Sequence, residues 1–373
     1  MNHPMQSDAQ EIPVVLARRD SGETEVSNSS FSRWHPTTVF ESFWKFATER
    51  QAIFYRRLAA RSSRWTTDHT LATFKFTNVY RASDRVSQFL IRHVIYTGDP
   101  SPREVFFRTI LFKLFNKIDT WDLLRDHFGE INSKLPLETI NSVLSEAMAS
   151  GRRIYSAAYI MPSGTKELRM GRKHTTHLNL LSRMMQDGVP NKLADCKRMS
   201  DAFGILRSYP MLGNFLAYQH IIDINYSEIT NFSESEFVVP GPGARNGIQK
   251  CFARVEQSEE IGVIRAVAEN QENEFRLRGL DFKYLGDRRL QLIDCQNLFC
   301  KVDKYARVEH PEFNKKSGRT RIKQKFSPNF AAVDYWYPPK WGINESFLDG
   351  PNGNNSFKTA TAGTLFNCDS AAQ

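Results

Sequence analysis

One stretch constrains the fold of this 373-residue chain more than any other: Asp99-Pro100-Ser101-Pro102-Arg103-Glu104, which opens EVFFRTILFKLFNKI. Ser101 suits a helix N-cap, Pro102 the first helical position, where its missing N–H costs nothing, and Glu104 the third. Phe107, Leu111, Leu114, Phe115 and Ile118 then fall on one face, with Arg108, Lys113 and Lys117 elsewhere on the surface. Residues 137–150 repeat the pattern and stop at Gly151, a usual C-cap. Residues 182–185, 201–208 and 290–305 continue in helical style. Nearer the start, His35-Pro36-Thr37-Thr38 begins the ordered part, with Thr38 and Glu41 in a capping-box pattern. A helix follows through Phe40, Phe43, Trp44 and Ala47, with Tyr55-Arg56-Arg57 near its end. A second helical region runs from Trp65-Thr66-Thr67-Asp68 to about Val94. Residues 155–161 fit either a buried helix segment or a strand. With no repeat of fixed period and no sustained strand alternation, the expected class is all-α.

A 40% hydrophobic share is enough for one large domain or two intimate ones. Residues 1–33 are polar and without period, and read as a disordered tail. A helical domain is expected over residues 34–310. Residues 311–373 begin with the basic run NKKSGRTRIKQKF, read as mobile, and end Gly, Asn and Ser-rich, so this segment is expected to be partly disordered. No run of about 18 apolar residues occurs, so no membrane span is expected. The first residues lack a basic start followed by an apolar stretch, which argues against a secretory signal. Five cysteines, an odd number, lie far apart except Cys295 and Cys300, whose spacing is not that of a CxxC knuckle. Free thiols in a reducing, intracellular compartment are the reading. The formal net charge of +9 favours a polyanionic partner.

Four motifs invite chemistry, and each has a plainer alternative. In FKFTNVYRASDRVSQFLIR, residues 74–92, Val79, Val86, Phe89, Leu90 and Val94 fit one helix face, with Asn78, Arg81, Asp84 and Arg85 clustered off it. Such a turn can hold a phosphate or a base edge, or be a solvated face on which Arg81 and Asp84 pair. In LRSYPMLGNFLA, two helices around Gly213 resemble a helix-hairpin-helix, with backbone N–H groups offered to a phosphate. Met211 stands where the first glycine of that turn would be, so the motif is degenerate; an ordinary corner is the alternative. Asp223 shares a helix face with Gln219 and His220, as an acid near DNA or as a structural carboxylate. The loop VPGPGARNGIQK resembles a phosphate-holding turn through Gly241 and Gly243, with Arg245 and Lys250 near by. In LIDCQNLFCKVDKYARV, Asp294, Asn297, Lys301 and Lys304 share a face. They can act on a flipped-out base or form an internal polar network.

His174 and His177 stand at helix-neighbour spacing but lack supporting ligands, so no metal is expected, nor any cofactor. No GxxxxGK[ST] string occurs, which argues against phosphorylation by this chain alone.

Taken in order, FKFTNVYRASDR, FFRTILFKLFN, YPMLGNFLAYQHIIDINYS, VVPGPGARNGI and LIDCQNLFCKVDKY resemble the helical domain of 5-hydroxymethyl-deoxyuridine DNA kinases. That group also includes the α-glutamyl/putrescinyl-thymine pyrophosphorylases of DNA hypermodification. The resemblance spans about Thr37 to Tyr305 and rests on the order of five motifs. It implies a DNA-glycosylase-like multi-helical fold working on 5-hydroxymethyluracil, or a larger derivative, flipped from duplex DNA. The family positions carried onto this chain are Asn78, Tyr80, Arg81, Asp84 and Arg85, then Arg108 and Asn116. Further on they are Gln219, Asp223, Asn225, Gly241, Gly243, Asp294, Asn297, Lys304 and Tyr305. Asp223 and Asp294 are the expected catalytic carboxylates. Arg81, Arg85, Arg108 and the Gly213 turn would grip phosphates, and Asn297 and Lys304 would orient the base. The expected activity is glycosylase- or transferase-like. The alternatives are a non-catalytic module presenting modified DNA to a separate P-loop kinase or transferase, and an RNA-binding helical protein.

Overall fold

The helix that begins at Pro102 organises the interior. In a computed structural model, which describes residues 31–59, 65–157, 161–164, 171–316, 318–328 and 335–345, the chain is all-helical. Thirteen α-helices are present among those residues, and strand pairing is confined to isolated bridges. They are α1 (Thr38–Ala59), α2 (His69–Thr73), α3 (Arg85–Leu90), α4 (Pro102–Phe115), α5 (Ile118–Phe128), α6 (Leu137–Ala149) and α7 (Lys173–Gln186). The rest are α8 (Val189–Asp195), α9 (Met199–Arg207), α10 (Asn214–Ile224), α11 (Pro242–Cys251), α12 (Glu260–Leu277) and α13 (Leu292–Glu309).

α4 starts as its sequence dictates, with Ser101 at the cap and Pro102 in the first turn. It stops three residues before the expected Ile118, because Asn116 turns left-handed (φ 48°) and its N–H closes on the Phe112 carbonyl. The expected polar face is absent. Every residue from Glu104 to Phe115 is buried, including Arg108 and Lys113. A helix enclosed on all sides cannot be amphipathic, and α4 packs against α7, α8 and α10.

α1 carries the largest aromatic cluster, Phe40, Phe43 and Trp44, against Phe252, Phe275 and Phe299. Its cap is Thr37, not Thr38. The Thr37 hydroxyl accepts from the Val39 N–H and donates to the Lys250 carbonyl, tying α1 to α11. Glu41 pairs instead with Arg278 at 2.6 Å. The closest helix crossing is α11 on α13. A Cβ at Gly247 would meet the Phe299 carbonyl inside van der Waals contact, and one at Gly243 would meet the Cys300 thiol.

Residues 65–94 do not form one helix. After α2 the chain is extended, a 3-10 turn follows at Arg81–Ser83, and α3 continues into one π turn, Ile91–Ile95. The triplet Phe74-Lys75-Phe76 carries the local signal for it. Its alternation puts Lys75 outward and both rings half-buried, as a strand does. Phe74 and Lys325 form an antiparallel bridge, with Lys75 N–H donating to the Gln324 carbonyl at 3.0 Å and Phe326 N–H to that of Thr73 at 2.8 Å.

Through that pairing residues 318–328 lie along the body, with Ile322 buried. The ordered part also extends past 310. Residues 335–345 return to the interior, where Tyr337 is buried and its hydroxyl meets that of Ser83 at 2.9 Å. The Trp336 N–H donates to the Gln88 side chain, and the Arg288 guanidinium lies 3.6 Å over the Trp341 ring. Of residues 1–33, expected to be disordered, 31–33 are placed, with Phe31 buried and Ser32–Trp34 in a 3-10 turn; residues 1–30 and 346–373 lie outside the described residues, as do 158–160 of the ambiguous apolar run.

Candidate nucleic-acid interface

The motif at 74–92 is threaded through the middle of the helices, where an extended backbone has no ladder to satisfy it. Side chains supply the missing bonds. Lys301 of α13 donates to the carbonyls of Asn78 and Val79 at 2.5 and 3.2 Å. Arg50 of α1 donates to the Asn78 side chain at 2.7 Å, and the Asn78 N–H donates to Asp84 at 2.6 Å. Tyr80 donates to the Arg288 carbonyl at 2.5 Å. Arg81 is the centre. Its N–H donates to Asp294 at 2.8 Å, and its guanidinium reaches Asp223 at 2.5 Å, Gln219 at 3.1 Å and Tyr226 at 3.1 Å. Lys113 completes the pair at 2.9 Å from the other Asp223 oxygen.

These contacts fix the electrostatics. Burial alone would raise the Asp223 carboxyl, but Arg81 and Lys113 hold it below its usual range. Burial raises Asp294 and Asp84 and lowers Lys113 and Lys301. Neither Asp223 nor Asp294 reaches solvent to any useful extent, at 0% and 4% exposure. Of the two readings of 74–92, neither a phosphate grip nor a solvated face describes Asn78 and Arg81; they belong to an internal polar network. Arg85 is the exposed member.

The remaining expected residues scatter. Arg108 is buried and donates to the carbonyls of Val94 and Asp99. Asn116 accepts from Lys113, and Asn225 brackets a loop through the Phe232 N–H and carbonyl. Lys250 is fully buried against Asp303 at 3.1 Å, and Arg245 pairs with Glu260 at 3.2 Å. Gly241 makes room for the Phe215 ring and Gly243 for Cys300, so both glycines serve close packing. Asn297 is half-buried and accepts from the Gln296 side chain. Lys304 donates to the Lys75 carbonyl, and burial brings its ammonium down to about 8. Tyr305 donates to Asp68 at 2.6 Å. His174 and His177 face different partners, Ser145 and Tyr155. The α9–α10 turn leaves Gly213 exposed, and Met211 takes φ 69°, the conformation a glycine would adopt there.

The basic run was read in the sequence without its placement, and the cleft beside it was not read at all. Arg321, Lys323 and Lys325 are exposed at alternate positions and have no carboxylate partner among the described residues. They form an exposed cationic row on the segment that pairs with Phe74. Beside it opens a cleft of about 330 Å³, whose walls include Arg50, Trp65, Thr66, Phe74, Phe76 and Phe326. The signal for it was the two-residue alternation of Phe74 and Phe76, too short to outweigh the helical pattern that follows.

A family model described as the helical domain of 5-hmdU DNA kinase matches residues 37–315. A 5-hmdU DNA kinase of Bacillus phage SP10 is 24% identical over 287 residues, which are 72% of this chain and 45% of that protein. The chain thus spans a little under half the length of that relative. No solved structure matches.

Proposed function

Because the chain belongs to the family of the 5-hmdU DNA kinase helical domain, we propose that it recognises DNA carrying a 5-hydroxymethyluracil-type base. The observation that carries this reading is the cationic edge of Arg321, Lys323 and Lys325 beside an aromatic cleft. A row of unpaired cations neutralises phosphates and releases their counterions, which supplies sequence-independent affinity. An aromatic recess next to that row is where a base displaced from the stack finds a partner. Arg85 and the Gly213 turn, both exposed, are a second contact with the backbone of the same duplex, in the manner of a degenerate helix-hairpin-helix.

Asp223 and Asp294 serve the framework in this reading. Glycosylase- or transferase-like chemistry needs a carboxylate within reach of the base, and these two are enclosed and hydrogen-bonded to the protein. The chain therefore supplies recognition, and a separate P-loop kinase or transferase is the partner that supplies chemistry.

The test pairs binding with product analysis. Duplexes with thymine or 5-hydroxymethyluracil at one position are titrated at several salt concentrations, and the same DNAs are digested to nucleosides and weighed by mass spectrometry. Tighter, salt-steep binding of the modified duplex with unchanged nucleosides is expected. Equal, salt-insensitive binding of both duplexes sinks the recognition role, and a new nucleoside made by the protein alone replaces it with catalysis.

A further inference from the structure

Lys304 differs from the other expected contact residues in that no carboxylate is among the described groups acting on its ammonium. It lies on α13, half-buried, and donates to the Lys75 carbonyl. The charges acting on it are two cations, Arg307 one turn on and Lys75, with the Cys300 thiol one turn back. The Phe76 ring covers it at 4.7 Å. A ring face slightly favours the charged form, but burial and the two cations act the other way and bring the ammonium down to about 8. About a fifth of this amine is then neutral at pH 7.4, against about 0.1% of an ordinary lysine. Lysines desolvated in this way beside another cation are the ones that attack carbonyl groups. The Lys75 carbonyl can only accept, so the neutral amine keeps an N–H on it and turns its lone pair elsewhere.

Placement supplies a second, independent reason. The Lys75 N–H donates to the Gln324 carbonyl at 3.0 Å, and Arg307 donates to that of Arg321 at 3.3 Å. Both cations beside Lys304 are thus bonded to the segment that carries exposed Arg321, Lys323 and Lys325. A phosphate held on that row brings the rest of its molecule toward the amine. We propose that Lys304 is a carbonyl-reactive amine that forms a Schiff base with a phosphorylated aldehyde, either the open-chain sugar of an abasic position in DNA or a free sugar phosphate. The nitrogen adds to the aldehyde carbon, and one of its protons passes through water to the carbonyl oxygen. The carbinolamine then gives up its hydroxyl with the second proton as water, leaving the imine. Amine and aldehyde become imine and water, with no other reactant. This activity goes beyond base recognition and shares with it only the cationic row.

The test incubates the full chain with a duplex holding one abasic site, with 2-deoxyribose 5-phosphate and with unphosphorylated 2-deoxyribose. Sodium cyanoborohydride reduces any imine to a stable amine, and peptide mass spectrometry reports the adduct at each lysine from pH 6 to 9. At pH 7.4 Lys304 should take up phosphorylated aldehyde at least about tenfold faster than Lys75 or Lys323. Its rate should stop rising near pH 8, while theirs still climbs at pH 9. Lys323→Glu with Lys325→Glu should slow the phosphorylated aldehydes to the rate of 2-deoxyribose without moving that pH profile. Lys304→Arg, which keeps a cation and a donor for the Lys75 carbonyl, should lose the adduct and hold its non-covalent affinity for abasic DNA. Adduct with the duplex, with the free sugar phosphate or with both identifies the source of the aldehyde. Lys304 reacting no faster than the exposed lysines, or equally with both free sugars, overturns the proposal. Failure of base recognition looks different: thymine and 5-hydroxymethyluracil duplexes bind alike, and the Lys304 adduct persists.

Discussion

Arg81 Nη1 lies 2.5 Å from Asp223 Oδ1 in a site closed to solvent, with Lys113 2.9 Å from the second carboxylate oxygen. A buried carboxylate between two cations is held by geometry, and removing it strands two charges. Asp223→Ala should cost about 3–5 kcal/mol, read as a shifted denaturation midpoint. Replacing Arg81, Lys113 and Asp223 together by Met, Met and Leu should recover much of that loss, because no lone charge remains. A single variant as stable as the wild type would show that the network is not part of the framework.

The α11–α13 crossing admits no side chain at Gly247. Gly247→Ala would drive a methyl group into the Phe299 carbonyl, which is backbone and cannot swing aside. Destabilisation of at least about 2 kcal/mol is expected, despite the better helix propensity of alanine. Urea unfolding of the two proteins side by side checks it.

At the α9–α10 turn, Met211 holds φ 69°, a conformation costly for a residue with a Cβ. Met211→Gly should stabilise the chain by up to about 1 kcal/mol, the relief of strain less the added freedom of the unfolded state. If the turn contacts DNA, its restored flexibility should leave affinity within about twofold.

His220 is fully buried, and burial, with Lys113 near by, lowers its ring from 6.5 to about 4. The folded state therefore keeps it neutral where the unfolded chain takes up a proton. Its contribution to stability is complete above about pH 6.5 and falls as pH drops toward 4. Against His220→Gln, the wild type should lose on the order of 3 kcal/mol across that window. Parallel unfolding curves at pH 7 and 4.5 measure the difference.

Lys323→Glu with Lys325→Glu should weaken binding to every DNA sequence and flatten the slope of log affinity against log salt, by roughly 0.9 for each phosphate no longer neutralised. Melting temperature should hold, since both side chains are exposed. An unchanged slope would remove the cationic edge from the interface.

The sequence was most legible where local rules act alone. Ser101-Pro102 placed the start of α4, and Gly151, left-handed at φ 81°, marks the end of α6 as expected. It was least legible where a residue's role is set far away. Arg81 reads as a surface cation until Asp223, 142 positions on, encloses it. Lys250 likewise looks available for phosphate until Asp303 is placed beside it. The helical reading of residues 74–80 failed for a related reason. Their extended form is fixed by Lys301, Arg50 and a bridge to Lys325, none of which is a neighbour in sequence. The class and the density of polar groups in this motif were readable; the cleft beside it was not.

The bridge between Phe74 and Lys325 joins two segments separated by most of the domain. Loop-closure entropy makes such a pairing slow to form, and during synthesis it must wait until residues near 325 leave the ribosome. The cleft wall at Phe326 is therefore added after all of α1–α13 have been synthesised. A nascent chain thus carries its helices before it has a finished recess, and residues 335–345, whose Tyr337 packs against Ser83, follow later still.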